Sequence, residues 1–302
     1  MAVASFHNSQ AANVLSLRDA AFASLNLSRF LWQPCQQVES LDQQGAKYIF
    51  ADDEIKGYGA AYPLNETHFR LNLIVDPSHV GQGIGSLLLE SVEAETVRQG
   101  GSHLQARLFE QMRASLKFAL ARGFTQIHTM RGMSLDAADF SFGSWEELGR
   151  KLAAQDFRLT TLQQELDAGA SAIDKLAELY GLAKEGWPSP DPSWKVDSSD
   201  ASRRAEFKRV RYPESFTIIK HRDEYVGFTS AKNRVTGTAV HPGFRNRGIA
   251  AYLKACDINR CVEDGETCFE SSTASPAMQR VNLKLGYKFN GLAEVRLVKR
   301  LA

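Results

Sequence analysis

A long internal repeat limits what this chain can fold into more than any single motif does. Gly83 and Gly248 lie 165 residues apart, Gly123 and Gly286 lie 163 apart, and Gly57 and Gly227 lie 170 apart. Each pair stands in matching context. Lys47–Phe50, a turn at Asp52 and Asp53, and Ile55–Tyr58 read as a hairpin, as do Phe216–Lys220, a turn at Arg222 and Asp223, and Tyr225–Phe228. Leu71–Val75 and Arg234–Val240 then read as strands running into Pro77 and Pro242 and a glycine-bearing segment. Apolar residues at helical spacing follow in Ser86–Gln99 and Ala251–Val262. Short strands at Leu104–Leu108 and Thr267–Glu270, a second helix and the pairs Gly123-Phe124 and Gly286-Tyr287 close each copy. Solenoid repeats have periods of roughly 20–50 residues, so a repeat this long implies duplication of a whole domain.

The length of 302 residues suits two domains of about 150. The boundary is expected within residues 142–161, where Trp145–Ala154 reads as a helix closing the first copy and Phe157–Thr161 as the first strand of the second. The expected domains are therefore 1–143 and 144–302. Between Trp187 and Trp194 three prolines remove amide donors and fix φ, so that stretch reads as a loop.

Residues 1–150 carry twelve basic and sixteen acidic side chains, and the rest carry 24 and 19. A mildly basic second half is compatible with a small polyanion but lacks the concentrated basic face that nucleic acid requires, so no nucleic-acid partner is expected. No apolar stretch approaches the roughly 20 residues of a membrane span. The first ten residues contain no basic segment leading into an apolar core, so no secretory signal is expected. Cys35, Cys256, Cys261 and Cys268 have neither CxxC spacing nor a histidine partner motif. No metal site is expected, and reduced thiols fit a cytoplasmic location.

The chemistry concentrates in two loops. In the second copy, Ala239 and Val240 end a strand, and Arg245-Asn246-Arg247-Gly248-Ile249-Ala250 leads into a helix. A strand-to-helix turn built of small residues leaves backbone N–H groups unpaired at the positive end of the helix, where phosphate oxygens bind. Arg245 and Arg247 are placed to add charge-assisted hydrogen bonds to the same anion. The first copy has Val80-Gly81-Gln82-Gly83-Ile84-Gly85 in that place. A dinucleotide fingerprint would need a further glycine at Ser86 and a position in the first βα unit of a parallel sheet, and neither condition is met.

Arg245-Asn246-Arg247-Gly248-Ile249-Ala250 resembles the R/Q-x-x-G-x-G/A pyrophosphate signature of the GNAT N-acetyltransferase superfamily at every fixed position. Met278, Val281-Asn282 and Leu285-Gly286-Tyr287 are similar to the closing helix and strand of that family, especially of its two-domain members. Phe157–Leu162 likewise resembles their inter-domain segment. The resemblance implies an α+β (α/β) architecture: two tandem GNAT-like acyl-CoA N-acyltransferase domains, each a mixed, mostly antiparallel sheet flanked by helices. It implies acetyl-CoA, or another acyl-CoA, as co-substrate, held by Ala239, Val240, residues 245–250 and Asn282, with Gly81, Gln82, Gly83, Ile84 and Gly85 as a second, altered site. It further implies direct attack by a primary amine of a small molecule or peptide, with the chemistry in the second copy.

The sequence departs from that family in three places. Ala119 and Asn282 occupy the position of its tyrosine acid, Val80 replaces the first copy's Arg/Gln, and Arg234–Val240 holds no carboxylate. Glu270, at the end of the fifth-strand candidate, is the one candidate base, and no other catalytic residue is assigned. His79 and His241 read as turn residues, and Trp187 and Trp194 as either an acceptor-pocket wall or loop packing. These departures leave a non-catalytic acyl-CoA-binding or scaffold protein of the same fold as the alternative. Neither acceptor identity nor oligomeric state is legible.

Overall fold

The computed structural model describes residues 2–23, 45–51, 54–169, 171–184, 199–230 and 237–301. The first copy comprises β1 (Ala2–Ser5), α1 (Ala11–Ala23), β2 (Ala46–Ala51), β3 (Ile55–Pro63), β4 (His68–Val75), α2 (Ile84–Arg98), β5 (His103–Phe109), α3 (Arg113–Ala121) and β6 (Thr125–Asp136). There follow α4 (Gly143–Ala153), β7 (Phe157–Thr161), α5 (Leu162–Ala168), α6 (Ala172–Lys184), α7 (Asp200–Lys208), β8 (Thr217–His221) and β9 (Glu224–Thr229). The chain ends with β10 (Ala239–Val240), α8 (Ile249–Glu263), β11 (Cys268–Thr273), α9 (Pro276–Lys284) and β12 (Lys288–Arg300). These elements form two compact units, Met1–Thr129 with Ala293–Ala302, and Met130–Leu292.

In the first unit β1 to β4 form an antiparallel meander, and β4 pairs in parallel with β5 over only three residue pairs, His68↔His103 to Arg70↔Gln105. The other edge of β5 pairs antiparallel with the end of β12, from Glu294↔Phe109 to Arg300↔His103. Alternation sorts the faces. Phe69, Leu71, Leu104, Ala106, Val295 and Leu297 pack with Leu89 and Val92 of α2 and with Phe124. Fully buried side chains such as Leu104 and Leu297 each contribute about 1.5–3 kcal/mol. On the opposite face Val14 and Leu17 of α1 cover Ile49, Tyr58 and Ala60.

In the second unit β7, β8, β9 and β10 form an antiparallel sheet. Helices α6 and α7 cover one face with Leu176, Leu179, Tyr180 and Phe207 against Phe216, Ile218 and Phe228. The other face carries α4 and α8, with Leu152, Ile249 and Leu253 on Phe157, Ile219 and Val226. β11 pairs with residues 131–136 of β6, and Met133, Leu135 and Phe269 meet Ala255, Ile258, Leu285 and Tyr287.

The units do not divide at 143/144. Residues 131–136 of β6 pair with β11, and Met133 and Leu135 pack in the second unit's core, so that unit begins at Met130 and also holds the helix expected to close the first copy, which buries Leu152 there. The last ten residues return to the first unit because β5 needs an antiparallel partner and Val295 and Leu297 complete its apolar face. Strand Arg234–Val240 is a strand only at Ala239–Val240 among the described residues, and the strand expected at Thr267–Glu270 runs over Cys268–Thr273. Asp52, Asp53, Cys35, Trp187 and Trp194 lie outside the described residues.

Candidate functional site

The two glycine loops have the same backbone. Each begins with a proline-started 3-10 turn that a side chain caps: Asp76 accepts from Ser78 N–H, and His241 Nδ1 accepts from Gly243 N–H at 3.1 Å. Two left-handed residues follow, Gly81 and Gly83 with φ of 88° and 84°, and Asn246 and Gly248 with φ of 63° and 82°. Gly83 and Gly248 start α2 and α8, and neither receives a side-chain cap. The first amides of each helix, those of Ile84 and Gly85 and of Ile249 to Ala251, therefore have no intrahelical acceptor at the positive end of a 15-residue helix, whereas Ser86 N–H already bonds Gly83 O.

The surroundings of the loops differ. A Cβ added at Gly81 or Gly83 would meet no atom within 4 Å, whereas one at Gly248 would lie 3.0 Å from Leu148 Cδ2. Arg245 does not reach forward to the loop amides. Its Nη2 donates to Ala183 O at 3.0 Å and its Nε to Val240 O at 3.4 Å, so it ties the loop to the last turn of α6 and to β10. Arg247 is exposed, with its guanidinium 5.3 Å from the Phe244 ring, and remains the loop's outward cation.

In the first unit Val80 is 63% exposed and supplies no charge. Arg122, just past the end of α3, brings a cation to the start of α2. Its Nη2 donates to Ser86 Oγ in the first turn of α2, and its guanidinium stacks 4.1 Å from Phe118. Sequence reasoning missed this residue. Its position directly before the closing Gly123 was the available signal.

Both units open beside the loop. After Arg70↔Gln105, β4 and β5 make no further pairs, and β10 and β11 have no ladder between them among the described residues. His241 N–H donates to Val226 O, as Asp76 N–H does to Lys56 O. By alternation, the N–H of the preceding Val240 or Val75 points to the strand edge facing the opening.

The sequence-expected residues distribute unevenly over this frame. Asn246, Arg247, Gly248 and Ala250 of the second loop stay at the surface or partly so, with Ile249 anchored in the core; Gln82, Gly81 and Gly83 are exposed in the first, with Ile84 buried. Gly85 is held against Phe118 and Val75, where a Cβ would lie at 3.4 and 3.6 Å. Asn282 is fully buried behind β11, with its Nδ2 donating to Ser271 Oγ at 3.0 Å, and its Oδ1 finds no donor among the described residues. His79 Nδ1 sits 3.3 Å from Asp76 within its turn, and His241 caps its own.

Phe269 and Ser271 face α8 and α9, so Glu270 lies on the opposite face of β11. Glu270 is exposed, yet partial desolvation raises its pKa above the ordinary carboxylate value. The spacing of 163 that relates Gly123 to Gly286 carries Glu270 onto Arg107. Among the described residues no group of three or more His, Cys, Asp or Glu could hold a metal ion, and no helix is long and apolar enough to cross a membrane.

Known proteins share this construction. Residues 14–124 match the family model of the acetyltransferase (GNAT) family. A GCN5-related N-acetyltransferase from Sphaerobacter thermophilus superposes with a TM-score of 0.68 at 14% identity, covering 99% of this chain and 95% of its own. A tandem GNAT protein from the clavulanic acid biosynthesis pathway gives 0.67 at 17%, with 99% and 98% covered. This chain has the tandem GNAT fold. A GCN5-related N-acetyltransferase from Kribbella flavida shares the GNAT fold at a TM-score of 0.53 and 15% identity, with 94% and 95% covered. No curated protein matches by sequence. The family match falls on the first copy, whose loop has Val80 where the signature has an arginine or glutamine.

Proposed function

We propose that the protein is an acyl-CoA-dependent N-acetyltransferase that moves an acetyl group from acetyl-CoA to a primary amine, with the transfer in the second unit. The observation that carries this reading is the Glu270/Arg107 exchange. On the strand face opposite the closing helix, the second unit presents a carboxylate and the first an arginine. An amine acceptor arrives protonated and must lose a proton before it can attack. A carboxylate attracts the ammonium and accepts that proton, whereas an arginine repels it.

In this reading the pyrophosphate rests on the first-turn amides of α8, with Asn246 and Gly248 holding the backbone in the left-handed conformation that aims those amides outward. Arg247 neutralises the outer oxygens. Val240 N–H meets the thioester carbonyl at the open edge of β10 and stabilises the charge that develops there. Asn282 Oδ1, which has no donor among the described residues, suits an amide N–H of the pantetheine arm. The ammonium gives its first proton to Glu270, the freed amine nitrogen forms the C–N bond as the C–S bond breaks, and the second proton that this nitrogen loses goes to the departing thiolate, giving the amide and the CoA thiol. The protein is expected to act in the cytoplasm on a small-molecule or peptide amine.

The test is CoA release from acetyl-CoA over a panel of polyamines, amino acids, aminoglycosides and peptides. With an accepted amine, Glu270→Gln should lower kcat by roughly 10²–10⁴-fold, the range of a general base. The wild-type rate should rise with pH through a pKa above the ordinary carboxylate value. No release with any amine would favour the alternative, an acyl-CoA-binding scaffold of the same fold. An unchanged rate in Glu270→Gln would remove the carboxylate from the chemistry.

A further inference from the structure

Helix α8 carries a cation where the first copy has none. The offset of 165 that relates Gly248 to Gly83 carries Lys254 onto Leu89, which is buried among apolar neighbours. Lys254 is half-buried and largely desolvated, which lowers its pKa. Its ammonium lies 5.5 Å from the centre of the Tyr287 ring and makes no hydrogen bond or ion pair with any described residue. A cation withdrawn from water without a direct partner is costly, and nothing in the packing of the apo chain requires one here.

Helical geometry sets where this side chain points. Ile249 and Leu253 form the stripe of α8 that packs on Phe157, Ile219 and Val226 of β7, β8 and β9. Ala255 and Ile258 form the stripe that meets Phe269 of β11. Lys254 falls between the two stripes, so it lies beneath β10 and the gap that separates β10 from β11. In the first unit Leu89 holds that position and packs with Phe69 and Leu71 of β4 and with Leu104 and Ala106 of β5, the strands that flank the opening. Helical side chains lean toward the helix N-terminus, which turns the ammonium back along the opening toward Ala250 and the glycine loop.

Asn282, at the family's acid position, has no proton to give near neutral pH. We propose, building on acetyl transfer in the second unit, that Lys254 is the missing acid and gives a proton to the CoA sulfur as the C–S bond breaks. The lysine then takes up the second proton that the acceptor nitrogen loses. It ends the cycle as an ammonium, and the products are the amide and the CoA thiol. Desolvation eases the release of that proton, and a thiolate forming in the opening supplies the negative charge that the ammonium otherwise lacks. The base Glu270 and the acid Lys254 thus belong to one copy, and the other holds Arg107 and Leu89 in their places.

The test uses the full chain as wild type, Lys254→Met and Lys254→Arg, with retained acetyl-CoA binding by calorimetry as the check that each variant folds. The wild-type kcat for amine-dependent CoA release should fall at alkaline pH as Lys254 loses its proton. Lys254→Met should lower kcat roughly 10²–10⁴-fold and lose that alkaline limb, while the acid limb set by Glu270 stays. Arginine keeps the charge but does not release its proton, so Lys254→Arg should restore neither. The other titratable groups around Lys254 and Tyr287 among the described residues are Asp257, Cys261 and Cys268. Burial raises the Tyr287 pKa, so that hydroxyl titrates above the lysine. A second readout needs no amine: followed by its ultraviolet absorbance, the thiol of bound CoA should ionise at lower pH in the wild type than in Lys254→Met. An alkaline limb that persists in Lys254→Met, full kcat in Lys254→Arg, or a bound thiol that ionises alike in wild type and Lys254→Met would overturn the acid role and leave the transfer reading standing. If no amine releases CoA from the wild type, the transfer reading fails and the acid role falls with it.

Discussion

Replacing Gly83 and Gly248 by alanine, one at a time, measures what the two loops share and what separates them. Both glycines hold a left-handed backbone, at φ of 84° and 82°. A Cβ in that conformation costs about 1–2 kcal/mol. The smaller entropy of the unfolded alanine chain returns about 0.4–1 kcal/mol. Gly83→Ala meets no neighbour within 4 Å, so its net cost should be about 1 kcal/mol. Gly248→Ala also drives a methyl to 3.0 Å from Leu148 Cδ2 and 3.3 Å from Cδ1. Moving Leu148 off its rotamer adds about 0.5–1.5 kcal/mol. Urea denaturation gives each difference from the shift in midpoint at constant slope. Adding Leu148→Ala completes a double-mutant cycle, in which the excess cost at residue 248 should disappear. Equal costs at both glycines, with additivity in the cycle, would refute the claim that Leu148 packs on the second loop.

Two further outcomes follow from named contacts. Arg245→Ala should destabilise the second unit by about 1.5–3 kcal/mol through loss of charged hydrogen bonds to Ala183 O and Val240 O. Its acetyl-CoA affinity should fall much less than that of Arg247→Ala, and titration calorimetry on both variants checks the order. On α8, Lys254 is largely desolvated, which lowers its pKa against the opposing charge of Asp257, and its ammonium lies 5.5 Å from the Tyr287 ring. The first copy has Leu89 and Val92 at the equivalent positions, both buried. Lys254→Leu with Asp257→Val, which installs the first copy's apolar pair, should be neutral or stabilising by about 1–4 kcal/mol relative to the two charged residues. Denaturation midpoints check this result. Because burial depresses the lysine pKa, its penalty is full at low pH. It is relieved as pH rises from the folded pKa toward the unfolded value, so the gain from the double change should shrink at alkaline pH.

Much of this fold is written in local patterns. The recurrence of Gly83 at Gly248 and of Gly123 at Gly286 identifies the duplication, because each glycine meets a backbone demand that returns with the domain. Strand and helix periodicity then places β2 to β5 and α2 in one copy and β8, β9 and α8 in the other. Long-range exchange is not legible in this way. Nothing local in Lys288–Arg300 says that its second half completes the sheet of a strand far earlier in the chain, since any edge strand would satisfy its alternation. The same limit applies at the loops. Arg245 matches a signature, but its side chain finds carbonyls of β10 and α6, partners set by tertiary packing. Arg122 belongs to no signature and reaches Ser86 only because α3 packs beside α2.

Calorimetric titration with acetyl-CoA, on the wild type and on Gly248→Val and Gly83→Val, tests the central claim most directly when amine-dependent CoA release is followed on the same preparations. A β-branched side chain at either left-handed position blocks the approach of phosphate to the helix amides. The account predicts that the wild type binds acetyl-CoA, that Gly248→Val abolishes turnover together with a binding site, and that Gly83→Val leaves turnover in place. Failure to bind acetyl-CoA even at millimolar concentration, or turnover that survives Gly248→Val, would contradict it.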